Sequence, residues 1–125
     1  MRFMHLADLH LGKRVHSFSL IDDQRIMLDS VIGLCRQEKP DALLIAGDVF
    51  DKAIPSIEAI RLFETFLTDL SRTGTSLLIV AGNHDSGDRL AFGNAFFASH
   101  GIHVAGTFSG KLEKLVMTDQ EGPVT

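Results

Sequence analysis

Three short apolar runs, each stopped by a polar residue, constrain this chain most. They are "RFMHLAD" (2–8), "DALLIAGD" (41–48) and "SLLIVAGN" (76–83). Runs this short, bounded this sharply, read as strands buried in a sheet. Helical patterns separate them. The first spans about Asp22 to Glu38, with Ile26, Leu28, Val31, Ile32 and Cys35 as its expected buried positions, and Pro40 closes it. The second follows Pro55 and Ser56. Its expected apolar stripe is Ile57, Ile60, Phe63, Leu67 and Leu70, and Gly74 stands just past its end. A third helix is predicted from Asp88 to His100, stopped by Gly101, with a short strand, "IHVAG", after it. The last residues, "KLEKLVMTDQEGPVT", read as a strand, a turn from Asp119 to Gly122, and the start of another strand. That unfinished strand gives the expectation that residues 1–125 are the amino-terminal portion of a larger domain.

Strand, helix, strand, helix, strand is the pattern of consecutive βαβ units. The expected class is α/β with a mostly parallel sheet and right-handed crossovers. In such sheets ligands gather outside the carboxyl ends of the strands. Those ends are where the polar residues fall. The first run closes on Asp8 and His10 ("ADLHLG"), the second on Asp48 and Asp51 ("AGDVFD"), the third on Asn83, His84 and Asp85 ("AGNHD"). Asp8 and Asp48 are 40 residues apart, Asp48 and Asn83 35. Each interval is one βαβ unit, so the three clusters should meet at one edge of the sheet.

Composition narrows the chemistry. A length of 125 residues with 45% apolar content can bury a core as one domain. The net charge is −4 and no block of Lys or Arg occurs, so a polyanion partner would need another source of positive charge. Cys35 is the only cysteine, which excludes a disulfide framework and a thiolate zinc site. "MRFMHLADLH" carries charge and histidine too early for a secretory signal, and no run reaches membrane-spanning length. The expectation is a cytoplasmic protein with no membrane contact.

Carboxylate, imidazole and amide oxygen together suit Mn²⁺, Fe²⁺ or Zn²⁺ in an open site. Two such ions sharing a carboxylate can clamp a phosphate and activate a water, which is an apparatus for hydrolysing phosphoesters. A neighbouring histidine can protonate or steady the leaving oxygen. The competing reading of any one of these residues is a turn or helix cap. Three clusters in order favour the metal site, while Asp51 and Asp85 stand between supporting a ligand and capping a loop. His5, His100 and His103 read as sheet-face, helix-end and strand-surface residues. Lys13, Arg14 and His16 form a short basic loop beside the first cluster. It is either a solvated loop or a contact for nucleic-acid phosphates.

The motifs "DLHLG", "GDVFD" and "GNHDS" resemble the first three motifs of the calcineurin-like metallophosphoesterases. The longer stretches "MRFMHLADLHLGKRV", "KPDALLIAGDVFDKAIPS" and "VAGNHDSGDRLAFG" resemble the SbcD-type nuclease branch of that family. The resemblance covers essentially the whole chain. It implies the first part of an α-β-β-α sandwich and two divalent metal ions, Mn²⁺ above all. It gives Asp8 and His10 to the first metal, Asp48 to both, Asn83 to the second. His84 would face the scissile phosphate, with Asp85 orienting it and Asp51 supporting the shell. The family completes its metal sites with three further histidines, one alone and two in a Gly-His-x-His motif, which these 125 residues do not supply. The site is therefore expected to be partial here, and this stretch alone a poor catalyst. The branch implies a DNA exonuclease and hairpin endonuclease in repair, replication and recombination, an SbcC-type ATPase partner, and a homodimer. Phe92, Phe96 and Phe97 would supply surface for the last. Two alternatives stand beside this: a phosphatase or cyclic-nucleotide phosphodiesterase, and an inactive folding or dimerisation unit.

Overall fold

The structure is a computed structural model, and it describes residues 1–83, 85–87, 97–108, 110–112 and 114–125. The elements run β1 (Phe3–Ala7), β2 (Arg14–Val15), β3 (Phe18–Ser19), α1 (Ile21–Glu38), β4 (Ala42–Ala46), α2 (Ile57–Ser71), β5 (Ser76–Val80), β6 (Ile102–Ala105), β7 (Met117–Asp119) and β8 (Gly122–Val124). The three predicted strands and the "IHVAG" strand form one parallel sheet in the order β1-β4-β5-β6. The predicted terminal turn is a hairpin of β7 and β8.

Register turns the strand alternation into layers. Met4, Leu43, Leu77 and Ile102 lie side by side across the sheet, and Leu6, Ile45, Ile79 and Val104 form the next row. Six of these eight are buried, and Met4 and Leu6 pack against the same core. The strand order advances in one direction. Right-handed crossovers therefore put both helices on one face, where α1 and α2 cover the two rows. On the opposite face His5, Leu44, Leu78 and His103 share a row, and Phe3 and Val80 are more than half exposed. The described residues thus supply one helix layer and one sheet of the expected sandwich.

The helices begin and end for local reasons. The Ser56 side chain accepts the Ala59 N–H (3.2 Å) at the start of α2, next to Pro55. In α1, Asp22 and Asp23 lie in the first turn and Arg36 in the last, complementing the helix dipole. Lys39 closes α1 in the left-handed conformation (φ 48°), donating to the Cys35 carbonyl, before buried Pro40.

Two helix faces differ from expectation. Ile26 is 65% exposed, because the buried stripe is Leu28, Val31, Ile32 and Cys35 and a residue two positions from Leu28 lies on the far side. In α2, Ile57 (68%) and Ile60 (39%) are exposed, while Ala59, Leu62, Phe63, Phe66 and Leu70 are buried and Leu67 is half-buried. Ala59 sets that phase. A Cβ on Gly12 would come within 3.0 Å of the Ala59 Cβ, so the loop after β1 packs tightly on α2 at its smallest residue. The predicted helix over Asp88 to His100 falls mostly outside the described residues, as do Phe92 and Phe96. Phe97 packs against the core.

Candidate metal centre

Beyond Ala7 the alternation of β1 carries on without its extended backbone. Leu9 and Leu11 are buried in the core, which turns Asp8 and His10 outward between them. Asp8 (φ 51°), His10 (φ 45°) and Asp48 (φ 40°) are all left-handed. That conformation costs an L-residue about 1–2 kcal/mol. Among the described residues five non-glycine positions have positive φ, and three of them are these. Strain concentrated on three converging polar side chains marks a site whose surroundings over-determine it.

Backbone bonds tie the first two strand ends together. The His10 N–H donates to the Asp48 carbonyl (2.9 Å), Leu11 N–H to Val49 (2.9 Å), and Asp51 N–H back to Leu11 (3.1 Å). From α1, Gln24 pins the first loop at both ends of its amide. Its Oε1 accepts the Gly12 N–H (3.0 Å), and its Nε2 donates to the His10 (2.9 Å) and Leu9 (3.2 Å) carbonyls. Gln24 was missed in the sequence. Its signal was position: it continues the Leu28, Val31, Cys35 stripe one turn earlier, a polar residue on an apolar face.

The result is a compact donor set. Ligand atoms of Asp8, His10 and Asp48 all lie within 4.8 Å of one another. His10 Nε2 is 3.8 Å from Asp48 Oδ2, and His10 Nδ1 is 3.4 Å from Asp51 Oδ1. Three carboxylates around one imidazole favour a cation among them. Carboxylate and imidazole without thiolate fit a divalent ion of the manganese, iron or zinc kind.

The third strand end meets the second at Gly82. A Cβ there would collide with the Asp48 amide nitrogen and carboxylate, reaching 2.8 Å from its Cγ. Asp85 holds the two loops together. Its Oδ2 accepts the Val49 (3.0 Å) and Gly82 (2.9 Å) N–H groups, and its Oδ1 accepts Phe50 N–H (3.0 Å). Asn83 follows Gly82 and is exposed. His84 lies outside the described residues. Lys13, Arg14 and His16 are exposed. Where a loop was expected, Arg14 and Val15 pair with Phe18 and Ser19 in a small hairpin, and Arg14 lines a groove with Asp51, Lys52 and Ser56.

Residues 1–119 match the family model described as calcineurin-like phosphoesterase. The chain belongs to the calcineurin-like phosphoesterase family. Members of this family are phosphoester hydrolases that use divalent metals, and Asp8, His10 and Asp48 form a group that could hold one such ion. The chain is also 36% identical over 105 residues to the D subunit of nuclease SbcCD from Staphylococcus saprophyticus subsp. saprophyticus. That similarity covers 83% of this chain and 28% of the relative, so the chain spans little more than a quarter of that protein's length. Among the described residues no helix is long and apolar enough to cross a membrane.

Proposed function

We propose that this chain belongs to a metal-dependent nuclease that hydrolyses DNA phosphodiester bonds together with an SbcC-type ATPase. The phosphoester chemistry follows from the family. The DNA substrate is carried by one observation: the 36% identity to a nuclease subunit over 83% of the chain. The same similarity supports the ATPase partner, a cytoplasmic setting and a place in repair, replication and recombination. A homodimer and a preference for Mn²⁺ complete the reading.

In this reading Asp8 and His10 hold one divalent ion, Asp48 is shared, and Asn83 offers its amide oxygen to a second ion. Bound there, such ions neutralise phosphate charge and polarise the ester toward hydrolysis. Asp51, 3.4 Å from His10 Nδ1, orients that imidazole so that Nε2 turns toward Asp48. His84 gives a proton to the leaving oxygen or steadies its charge. Asp85 orients His84: a carboxylate offers about four acceptor directions, and among the described residues backbone N–H groups occupy three. Lys13, Arg14 and His16 meet substrate phosphates.

The test is a substrate panel with the intact protein and Mn²⁺: linear duplex DNA, DNA hairpins and a generic aryl phosphate. Cleavage of DNA, abolished by chelator, is the expected result. Hydrolysis of the aryl ester with every DNA left whole would sink the nuclease reading and leave a phosphatase or cyclic-nucleotide phosphodiesterase.

A further inference from the structure

The strand-end loops are joined in two different ways. Between the first and second loops the backbone ladder continues past the strands, through the His10, Leu11 and Asp51 bonds. Between the second and third it reaches only the Gly47 N–H, which donates to the Val80 carbonyl (2.8 Å). Past that point, among the described residues, no backbone carbonyl takes the N–H of Val49, Phe50 or Gly82. Val49 is fully buried. A buried N–H left unmade costs about 1–3 kcal/mol. One side chain, Asp85, takes all three donors, two from the loop that carries Asp48 and one from its own.

A second contact gives that clamp its consequence. The Asp48 carboxylate and amide rest directly on the Cα of Gly82, with no room for a Cβ between them. The clamp acts on the two residues after Asp48, and the floor on Asp48 itself. Asp85 holds the backbone just after Asp48, and Gly82, three residues before Asp85, limits how far the Asp48 carboxylate can retreat. We propose that Asp85 is a positioning residue for the metal centre: it locks the second loop on the third and so fixes Asp48 against Asp8 and His10. This rests on the metal-dependent reading above. It gives Asp85 a task separate from orienting His84, and one that acts before any substrate arrives.

Asp85→Asn tests it, because an amide keeps one acceptor oxygen and turns N–H donors toward the backbone N–H groups that used the other. The measurement is Mn²⁺ affinity of the intact protein, followed by electron paramagnetic resonance of free Mn²⁺. The control is Leu43→Ala, a core variant remote from the site that lowers stability without touching the loops. Both are read at a temperature where circular dichroism shows them folded. The expected result is Mn²⁺ binding about 10–100-fold weaker in Asp85→Asn and unchanged in Leu43→Ala. Equal affinity in Asp85→Asn and wild type, or an equal loss in both variants, overturns the positioning role and leaves the metal reading intact. A wild-type protein that binds no Mn²⁺ overturns the metal reading and the proposal with it. Should Asp85→Asn not fold, amide exchange on the wild type decides. Protection of Val49, Phe50 and Gly82 matching that of the β4 amides is expected, and fast exchange at all three overturns the clamp.

Discussion

The two ends of the sheet treat charge in opposite ways. At the amino end each cation of Met1 and Arg2 has a carboxylate against it. Arg2 Nη2 meets Glu38 Oε2 at 2.6 Å, the Arg2 N–H donates to Asp41 Oδ2 at 2.6 Å, and the Met1 amine sits 2.7 Å from Asp119 Oδ2. At the carboxyl end Asp8, Asp48 and Asp51 crowd one histidine. Even a protonated His10 would leave those four residues with more negative than positive charge. The backbone leans the same way: left-handed Asp8, His10 and Asp48 are at the carboxyl end, against Lys39 at the amino end. One end is built to hold; the other carries more of the strain, and like charge that a bound cation would relieve. Site residues should therefore trade stability against metal binding, and residues that only support the site should not.

The largest effect expected from that contrast is at Asp48. Asp48→Asn keeps the shape and tolerates the left-handed backbone as well as aspartate does. It removes one of the crowded carboxylates. In the metal-free protein the variant should be more stable by about 0.5–2 kcal/mol, the range typical where function has been kept at a cost in stability. Mn²⁺ binding should fall by more than the about 10–100-fold that a supporting residue costs. Urea unfolding in chelator and Mn²⁺ titration measure the two. A metal-free variant less stable than wild type would break the comparison, since the carboxyl end would then be as well matched as the amino end.

Gln24 sharpens it. This residue lies at the carboxyl end yet is fully matched, with three bonds to the first loop. Gln24→Ala strands the Gly12 N–H and the Leu9 carbonyl of a part-buried loop and leaves the His10 carbonyl with the Lys13 N–H alone, and a loss of about 1–3 kcal/mol is expected. Stability and Mn²⁺ affinity should fall together here, unlike Asp48→Asn, where they move apart. Gln24→Glu separates the bonds further. A carboxylate still accepts from Gly12 but cannot donate to Leu9 and His10, so urea unfolding near neutral pH should show it no more stable than the alanine variant.

How much of this was legible in the residues follows from where each signal lived. β1, β4, β5 and β6 were legible because a strand buried in a parallel sheet must be a short apolar run, and each run here is cut off sharply. The convergence of Asp8, His10 and Asp48 was legible because strand order and crossover hand leave the carboxyl ends no other place to go. Helix phase was read less well. Ile57 and Ile60 outweigh Ala59 in any count of apolar residues, yet the close approach of Gly12 selects the alanine. The hairpin of β2 and β3 was not legible, since two-residue strands have no period. Nor was the clamp at Asp85. Its outer partners lie 35 and 36 residues away, and nothing in "GNHDS" says which N–H groups will need an acceptor.

The smallest expected effect is at the amino end, where matching should show as a pH window and little else. The Met1 amine is raised above its ordinary value by its hydrogen bond to Asp119 and then by that carboxylate's charge. Asp119 is lowered by the same hydrogen bond and then by accepting the Glu121 N–H. The signs give both edges. A lowered carboxylate contributes stability that is present above its unfolded value, about 3.9, and lost as pH falls through the folded one. A raised amine contributes stability present below 8.0 and lost as pH rises through its folded value. The contact between Met1 and the β7–β8 hairpin should thus hold across the middle of the range and open at both extremes. An NMR titration following the Glu121 amide and the Asp119 carboxyl carbon measures it. Asp119→Asn should flatten both edges while leaving Mn²⁺ affinity where it was, because this pair lies at the end of the molecule that holds rather than binds. A shift in Mn²⁺ affinity in that variant would mean the two ends are coupled, and the division of labour between them would fail.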